Sequence, residues 1–145
     1  MGFTVKLSAL RVDDFNKLLT PVVFCVDEKK ASSFTKDYSV LSVNGLLSEK
    51  LIRIEESKRN IFAADEMNKL IAGSNEPVLI KDFEILFDPE YQIDVLKLFI
   101  LANRKKRIAV LWCGTYKDGK LFFAEPGYKD YHVYNISDYD ISCII

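Results

Sequence analysis

The sequence predicts an α/β fold: a small, mostly parallel sheet with helices on both faces, and an antiparallel hairpin near the C-terminus. Three observations carry this prediction. Short apolar runs typical of strands alternate with segments whose apolar residues recur at helical spacing, which is the pattern of a parallel sheet. Residues 21–26 are apolar almost throughout, as expected for a strand covered on both faces. The turn signal Asp118-Gly119 stands between two strand-like segments.

The first half of the chain contains two predicted strands and three predicted helical segments. In order, these are a loosely helical segment at 7–19, a strand at 21–26, a strand at 38–43, a helix through 47–54 and a helix through 63–71. Pro21 ends the first segment, because proline cannot continue a helix. Asn44-Gly45 marks a turn or the end of the second strand. Gly73 is placed to end the third helical segment.

The second half continues the alternation and then becomes rich in aromatic residues. The predicted elements are a strand at 78–80, a helix from 94 to about 103, a strand at 108–113, a hairpin around 117–120 and a pairing strand at 131–136. Asp94 is a good N-cap for the helix, whose apolar residues lie almost all round and indicate burial. The hairpin is expected to be an antiparallel addition at one edge of the sheet.

Length and composition limit the classes of function. A chain of 145 residues predicts one domain, 1–145, and 49% hydrophobic with 28% charged residues indicates a folded chain. A net charge of −1 argues against broad phosphate-backbone binding but leaves a local basic patch open. Three widely spaced cysteines form no CxxC pair, so we expect reduced thiols and a cytoplasmic location. No signal-peptide pattern and no membrane-spanning apolar run is recognised, so no membrane partner is expected.

The connection after the first core strand lacks glycine, and this is the most informative feature of the sequence. A phosphate-binding P-loop needs glycines, which let successive backbone N–H groups turn inward, together with a lysine and a hydroxyl for phosphate and Mg²⁺. Residues 27–36 contain lysines and hydroxyls but begin with two carboxylates, which would repel phosphate. The sequence therefore argues against ordinary nucleotide hydrolysis and predicts no cofactor. If ATP and Mg²⁺ do bind, Lys29, Lys30 and Ser32 are the loop residues that would hold them.

Carboxylates follow the third core strand, where a nucleotide hydrolase would carry its metal-binding acid. One carboxylate at the end of such a strand holds Mg²⁺, and a neighbour positions the attacking water. Asp82 and Glu84 are the candidates for these roles, and Asp88 reads as part of a turn before Pro89. Lys81 places a positive charge directly before these carboxylates and so interrupts the acidic pattern. The alternative, in which these carboxylates are solvated groups at the end of an extending strand, therefore stays open.

Two further surfaces are candidates for binding a partner. The run Arg104, Lys105, Lys106 and Arg107 follows a predicted helix, where it suits either nucleic-acid backbone contact or the helix dipole. Aromatic residues crowd the C-terminal third, and the exposed ones favour a protein interface. The candidates for that interface are Tyr116, Tyr128, Tyr131 and Tyr134. His132 has no nucleophile placed against it by the sequence, so it is expected to be a packed or surface imidazole.

Two sequence blocks resemble a known family. Residues 83–89 read FEILFDP, and residues 112–131 contain W-x-G-x-Y-x-D-G-x-L followed by AEPG-x-x-x-Y. Over about residues 21–135 the chain is similar to the small P-loop proteins of BREX-type bacteriophage-exclusion systems (the BrxF-like family). That family carries a glycine-rich Walker A loop, which residues 27–33 replace here, and either Asp82 holds the acidic position or Lys81 has replaced it. The resemblance implies a degenerate member of a bacterial or archaeal phage-defence system.

Three hypotheses about function follow. The first is a noncatalytic P-loop-like subunit that binds other phage-defence proteins, with DNA contacted through the complex. The second is a divergent Mg²⁺-dependent ATPase or nucleotide switch, in which Lys29 or Lys30 works with Asp82 and Glu84. The third is a small DNA-binding regulator that uses the basic run at 104–107. The sequence leaves the oligomeric state open.

Overall fold

The computed structural model describes residues 1–145 and contains a six-stranded parallel sheet flanked by helices, with a separate three-stranded antiparallel sheet. The strands are β1 (Phe3–Val5), β2 (Val22–Phe24), β3 (Ser39–Ser42), β4 (Val78–Lys81), β5 (Ile108–Leu111), β6 (Thr115–Lys117), β7 (Lys120–Phe123), β8 (His132–Asn135) and β9 (Ser142–Ile144). The helices are α1 (Val12–Lys17), α2 (Glu28–Ala31), α3 (Val43–Leu51), α4 (Arg59–Ala72) and α5 (Val95–Asn103). Short 3-10 turns lie at Leu7–Ala9, Glu56–Lys58, Glu84–Phe87 and Ile136–Asp138.

The main sheet has the strand order β1-β9-β2-β5-β4-β3, and every neighbouring pair is parallel. β2 is an interior strand, with Val22 paired to Ala109 of β5 on one side and to Ser142 of β9 on the other. Parallel strands all end at the same edge of a sheet. We call the edge where β2, β3, β4 and β5 end the carboxyl edge; it comprises residues 25–28, 42–44, 81–84 and 112–114.

Apolar side chains cover both faces of the sheet, as the continuous apolar strands predict. Val23 and Val110 face the larger core, which α3, α4, α5 and the small sheet share. Val22 and Phe24 face a smaller core formed with α1 and α2, in which Phe15 is fully buried. The prediction of helices on both faces is thus confirmed.

The C-terminal hairpin differs from its predicted position. β6 and β7 pair through the expected turn, with Lys117 opposite Lys120, but β8 joins β7 to make a sheet separate from the main one. The rings of Phe87 and Phe123 stack with centroids 4.0 Å apart and nearly parallel planes. Trp112 Nε1 also donates a hydrogen bond to the Phe122 carbonyl at 3.1 Å. These contacts hold the small sheet over the end of β5, so it is not an extension of the main sheet.

Other differences have tertiary causes. β1 and β9 were not predicted as strands; each has three residues, and they pair with each other across nearly the whole chain. Helix α1 is shorter than the segment predicted at 7–19. Asn44 and Gly45 lie in the first turn of α3 because Asn44 donates its N–H to the Asp82 carbonyl at 2.7 Å and accepts from Ile85 N–H at 3.0 Å. Helix α5 begins as predicted, with Asp94 accepting from Lys97 N–H at 3.2 Å.

Candidate functional site

The connection after β2 is an ordinary helical turn and does not form a phosphate cradle. Helix α2 has four residues, and the N–H groups of Lys30 and Ala31 both donate to the Asp27 carbonyl, at 2.9 and 3.0 Å. The N–H of Ser32 donates to the Glu28 carbonyl at 2.9 Å. These donors are consumed inside the turn, so they are not free to surround an anion. One short turn also supplies little of the dipole that longer helices offer to phosphate.

An ion pair crosses the carboxyl edge between this turn and β4. Lys81 Nζ, at the end of β4, lies 2.7 Å from Glu28 Oε1 and 3.3 Å from Oε2. The hydrogen bond that Lys81 donates to Glu28 raises the pKa of Lys81 above its usual value; burial works against this rise, and the charges of Glu28 and Asp82 add to it. A working nucleotide site has a lysine in the loop and a carboxylate on the strand. Here the carboxylate of Glu28 lies in the loop and the lysine, Lys81, lies on the strand, so the two charges have exchanged places.

Asp82 connects the end of β4 to the start of α3. Its carboxylate accepts a hydrogen bond from the Ser42 hydroxyl at 2.7 Å, and its backbone has φ 51°, in the left-handed region. Glu84 is exposed in the following 3-10 turn and makes no side-chain hydrogen bond or ion pair. Asp88 accepts from the N–H of Glu90 at 2.9 Å, which confirms the predicted turn. The three carboxylates are therefore spread along a loop and are not gathered on one metal position.

The predicted loop residues do not meet these carboxylates. Lys29 and Lys30 are exposed on α2, and the hydroxyl of Ser32 donates to the Lys29 carbonyl at 2.6 Å. No hydrogen bond or ion pair joins the side chains of these three residues to Asp82 or Glu84. The sequence supplied the residue types of a nucleotide site, but the structure does not bring them together.

Two thiols near the carboxyl edge, those of Cys113 and Cys143, have environments that disfavour the thiolate. Burial raises the pKa of Cys113, and the charge of Glu84 adds to the effect. The contact of its thiol with that of Cys25, together with burial, raises the pKa of Cys143. All three cysteines are free. Because the thiolate is the nucleophile, the raised pKa values of Cys113 and Cys143 disfavour covalent chemistry at these two residues at neutral pH.

The basic run at 104–107 divides into two structural residues and two free ones. Lys106 Nζ donates to the carbonyls of Ala72 and Ser74 at the end of α4. The Arg107 guanidinium donates to three oxygens, and it is described below. Arg104 and Lys105 are exposed and form no ion pair. Half of the predicted nucleic-acid contact is thus committed to packing.

The four candidate tyrosines also differ in exposure. Tyr128 is 66% exposed, and Tyr116 and Tyr131 are half-buried. Tyr134 is buried, so its assignment to a partner surface is wrong. Its hydroxyl accepts from the first N–H of α5 at 3.4 Å, and its ring packs against Trp112. His132 has a structural environment too, with Nδ1 2.7 Å from the Asp130 carbonyl and its ring against Phe87.

No protein-family model, no curated protein and no solved structure matches the chain. None of its helices is both long enough and apolar enough to span a bilayer. The fold and the site define a parallel α/β domain whose carboxyl edge carries an internal ion pair.

Sequence reasoning missed two features of this domain. One is the pairing of Glu28 with Lys81, for which the only signal was the shared edge at which β2 and β4 end. The other is a groove between α4 and α5, described below; the apolar residues all round the predicted helix indicated burial and gave no signal that Leu101 would be exposed.

Proposed function

We propose that this protein is a noncatalytic P-loop-like subunit that acts by binding other proteins, in the phage-defence setting that the family resemblance implies. The observation that carries the proposal is the Lys81–Glu28 ion pair, with its 2.7 Å contact across the carboxyl edge. In an open parallel sheet, ligands bind outside the carboxyl ends of the strands. The protein's own side chains occupy that position here.

The arrangement of strands supports the P-loop-like part of the proposal. β2 and β4, which would carry the phosphate loop and the acidic residue, end at the same edge with only β5 between them. This order of strands is compatible with the scaffold of a nucleotide site and supports the proposal. What differs is the chemistry placed on it, because the loop has a carboxylate and no glycine, and the strand ends in a lysine.

Electrostatics explains why this edge is a poor nucleotide site. A phosphate approaching α2 meets the Glu28 carboxylate, and like charges a few ångströms apart repel. Lys81, the nearest cation on β4, is already neutralised by Glu28. To bind phosphate, the protein would have to break this ion pair and leave the Glu28 carboxylate beside the new anion.

Thermal unfolding with millimolar Mg-ATP, Mg-ADP and Mg-GTP tests the proposal. A ligand at about 100 times its dissociation constant stabilises a protein by about 2.7 kcal/mol, which is several degrees in Tm for a chain of this size. We expect no shift for the wild type. Asp82→Ala, and Asp37→Ala as an exposed acidic control, should both leave this null result unchanged.

Two results would contradict the proposal. A shift of several degrees that Asp82→Ala abolishes and Asp37→Ala retains would favour the divergent ATPase instead. Binding to duplex DNA that weakens steeply with salt and depends on Arg104 and Lys105 would favour the DNA-binding regulator.

A further inference from the structure

A groove follows the line between α4 and α5, away from the carboxyl edge. Two adjoining cavities of about 720 and 280 Å³ share Asn68 and Leu101 as walls. We call this the α4–α5 groove and define it by Ala64, Asn68 and Ala72 on α4 and by Leu98, Leu101 and Ala102 on α5. Both helices lead into neighbouring parallel strands, so they run in the same direction and the groove follows both axes.

The floor of the groove consists of alanine and leucine side chains around the polar Asn68. The three alanines allow the backbone of a partner to approach closely, and Leu101 is 47% exposed between them. Ala64 and Ala72 lie eight residues apart on α4, which corresponds to about 12 Å, or two turns of a helix laid alongside. An apolar trough of this length between two helices fits the helix-in-groove mode of recognition.

The rim of the groove is positively charged, although the chain as a whole carries a net charge of −1. Lys69, Lys97, Arg104 and Lys105 border the two cavities. Lys69 contacts Glu66 at 3.3 Å, whereas Arg104 and Lys105 have no acidic partner.

Asp94 is the one carboxylate among the groove's walls, and two internal hydrogen bonds occupy it. It caps α5 and accepts from the Tyr139 hydroxyl at 2.8 Å. The unpaired cations of the rim are therefore Lys97 in the first turn of α5 and Arg104 and Lys105 after its C-terminal end.

We propose that the α4–α5 groove binds an amphipathic helix of a partner protein, with apolar side chains toward the floor and Asp or Glu residues beside Arg104 and Lys105. This inference rests on the proposed function, since it specifies the chemistry of the partner that a binding subunit needs. An acidic helix satisfies both the apolar floor and the cationic rim. Nucleic acid satisfies only the rim, whose unpaired cations are Lys97, Arg104 and Lys105.

The probe is a pair of synthetic 18-residue helical peptides. One carries leucines at i, i+3, i+4 and i+7 spacing with glutamates on the flanks, and its counterpart carries lysine at every glutamate position. Amide NMR shifts of the labelled protein locate the binding site, and fluorescence anisotropy gives the affinity. We expect the acidic peptide to shift resonances of residues 64–72 and 97–105. We expect the basic peptide to bind at least about tenfold more weakly.

Matched variants separate the floor from the rim. Leu101→Glu should weaken the acidic peptide by about tenfold or more, whereas Leu19→Glu, at a leucine that is 89% exposed elsewhere, should not. Replacing both Arg104 and Lys105 by Glu should weaken the acidic peptide and strengthen the basic one. The same double replacement at the exposed Lys36 and Lys129 should change neither.

Several results would overturn the proposal. These are no shifts in the groove, equal binding of the two peptides, or displacement of the acidic peptide by a 20-base-pair DNA duplex through Arg104 and Lys105. Self-association that Leu101→Glu abolishes would identify a second copy of the chain as the occupant. A nucleotide-induced rise in Tm alongside intact peptide binding would instead contradict the proposed function alone, so the two failures are distinguishable.

Discussion

Arg107 is predicted to be a structural residue and not a nucleic-acid contact. Its Nη1 and Nη2 donate to the carbonyls of Leu18 and Phe15 at 2.6 and 2.7 Å, and its Nε donates to the Tyr38 hydroxyl at 2.9 Å. The guanidinium carbon also lies 5.4 Å from the centre of the Phe15 ring. The side chain thus fixes the end of α1 against the sheet.

The Arg107→Ala substitution removes all of these contacts at once. A hydrogen bond from a charged donor contributes about 1.5–3 kcal/mol, and the half-buried position favours the lower value because water replaces part of the loss. Two such bonds to the backbone give a destabilisation of about 3 kcal/mol, or about 10 °C in Tm. Arg104→Ala is the matched control, since Arg104 is exposed and unpaired; it should cost less than about 0.5 kcal/mol.

Urea unfolding followed by circular dichroism measures both variants. The midpoint should fall for Arg107→Ala with an unchanged denaturant slope, which reports a change in stability and not in the exposed surface. Arg107→Lys should recover less than half of the loss, because an ammonium group cannot donate in the same planar fork. The reasoning is refuted if Arg107→Ala unfolds within about 0.5 kcal/mol of the wild type or of Arg104→Ala.

Three other predictions concern stability. Gly45→Ala should raise the free energy of unfolding by about 0.5–1 kcal/mol, since Gly45 is helical and an added Cβ meets no atom within 4 Å. In contrast, Gly114→Ala should prevent normal folding, because its Cβ would lie 1.8 Å from the Phe122 carbonyl oxygen. Thermal melts of the two glycine variants check the contrast. Asp94→Ala should cost about 1–2 kcal/mol in urea unfolding through loss of the α5 cap, with the loss concentrated in amide exchange of the first turn. Burial raises the pKa of Tyr134 from 10.0 to about 12. The tyrosine of the unfolded chain therefore ionises first, and the free energy of unfolding falls as the pH rises from 10 toward 12. Urea titrations in this range should show a shallower fall in the free energy of unfolding for Tyr134→Phe.

Local signals made much of the fold predictable. The continuous apolar runs of β2, β4 and β5 identified interior strands, because only a strand covered on both faces has no polar side. Asp94 marked the start of α5, and Asp118-Gly119 marked the hairpin, since both act through their own neighbours in the chain. β1 and β9 lacked such signals, because three-residue strands are defined by the distant backbone they pair with.

The candidate site was less predictable, because side chains of the same type have different environments. The four charges at 104–107 look equivalent in sequence, yet the turn after α5 directs Lys106 and Arg107 inward and leaves the other two in solvent. Tyr134 and Tyr128 are likewise both aromatic residues of the C-terminal third, but one supports α5 and the other is exposed. Lys81 appeared as an interruption of an acidic pattern until its partner Glu28 was located.

The central position of β2 has a consequence for synthesis of the chain. β2 is made early, but the strands on either side of it contain Ala109 and Ser142, which the ribosome adds much later. Until then its Val22-Val23-Phe24 segment has two unpaired backbone edges and two apolar faces. Such a segment is a template for aggregation. The nascent chain therefore carries its future central strand unpaired until β5 and β9 have been synthesised.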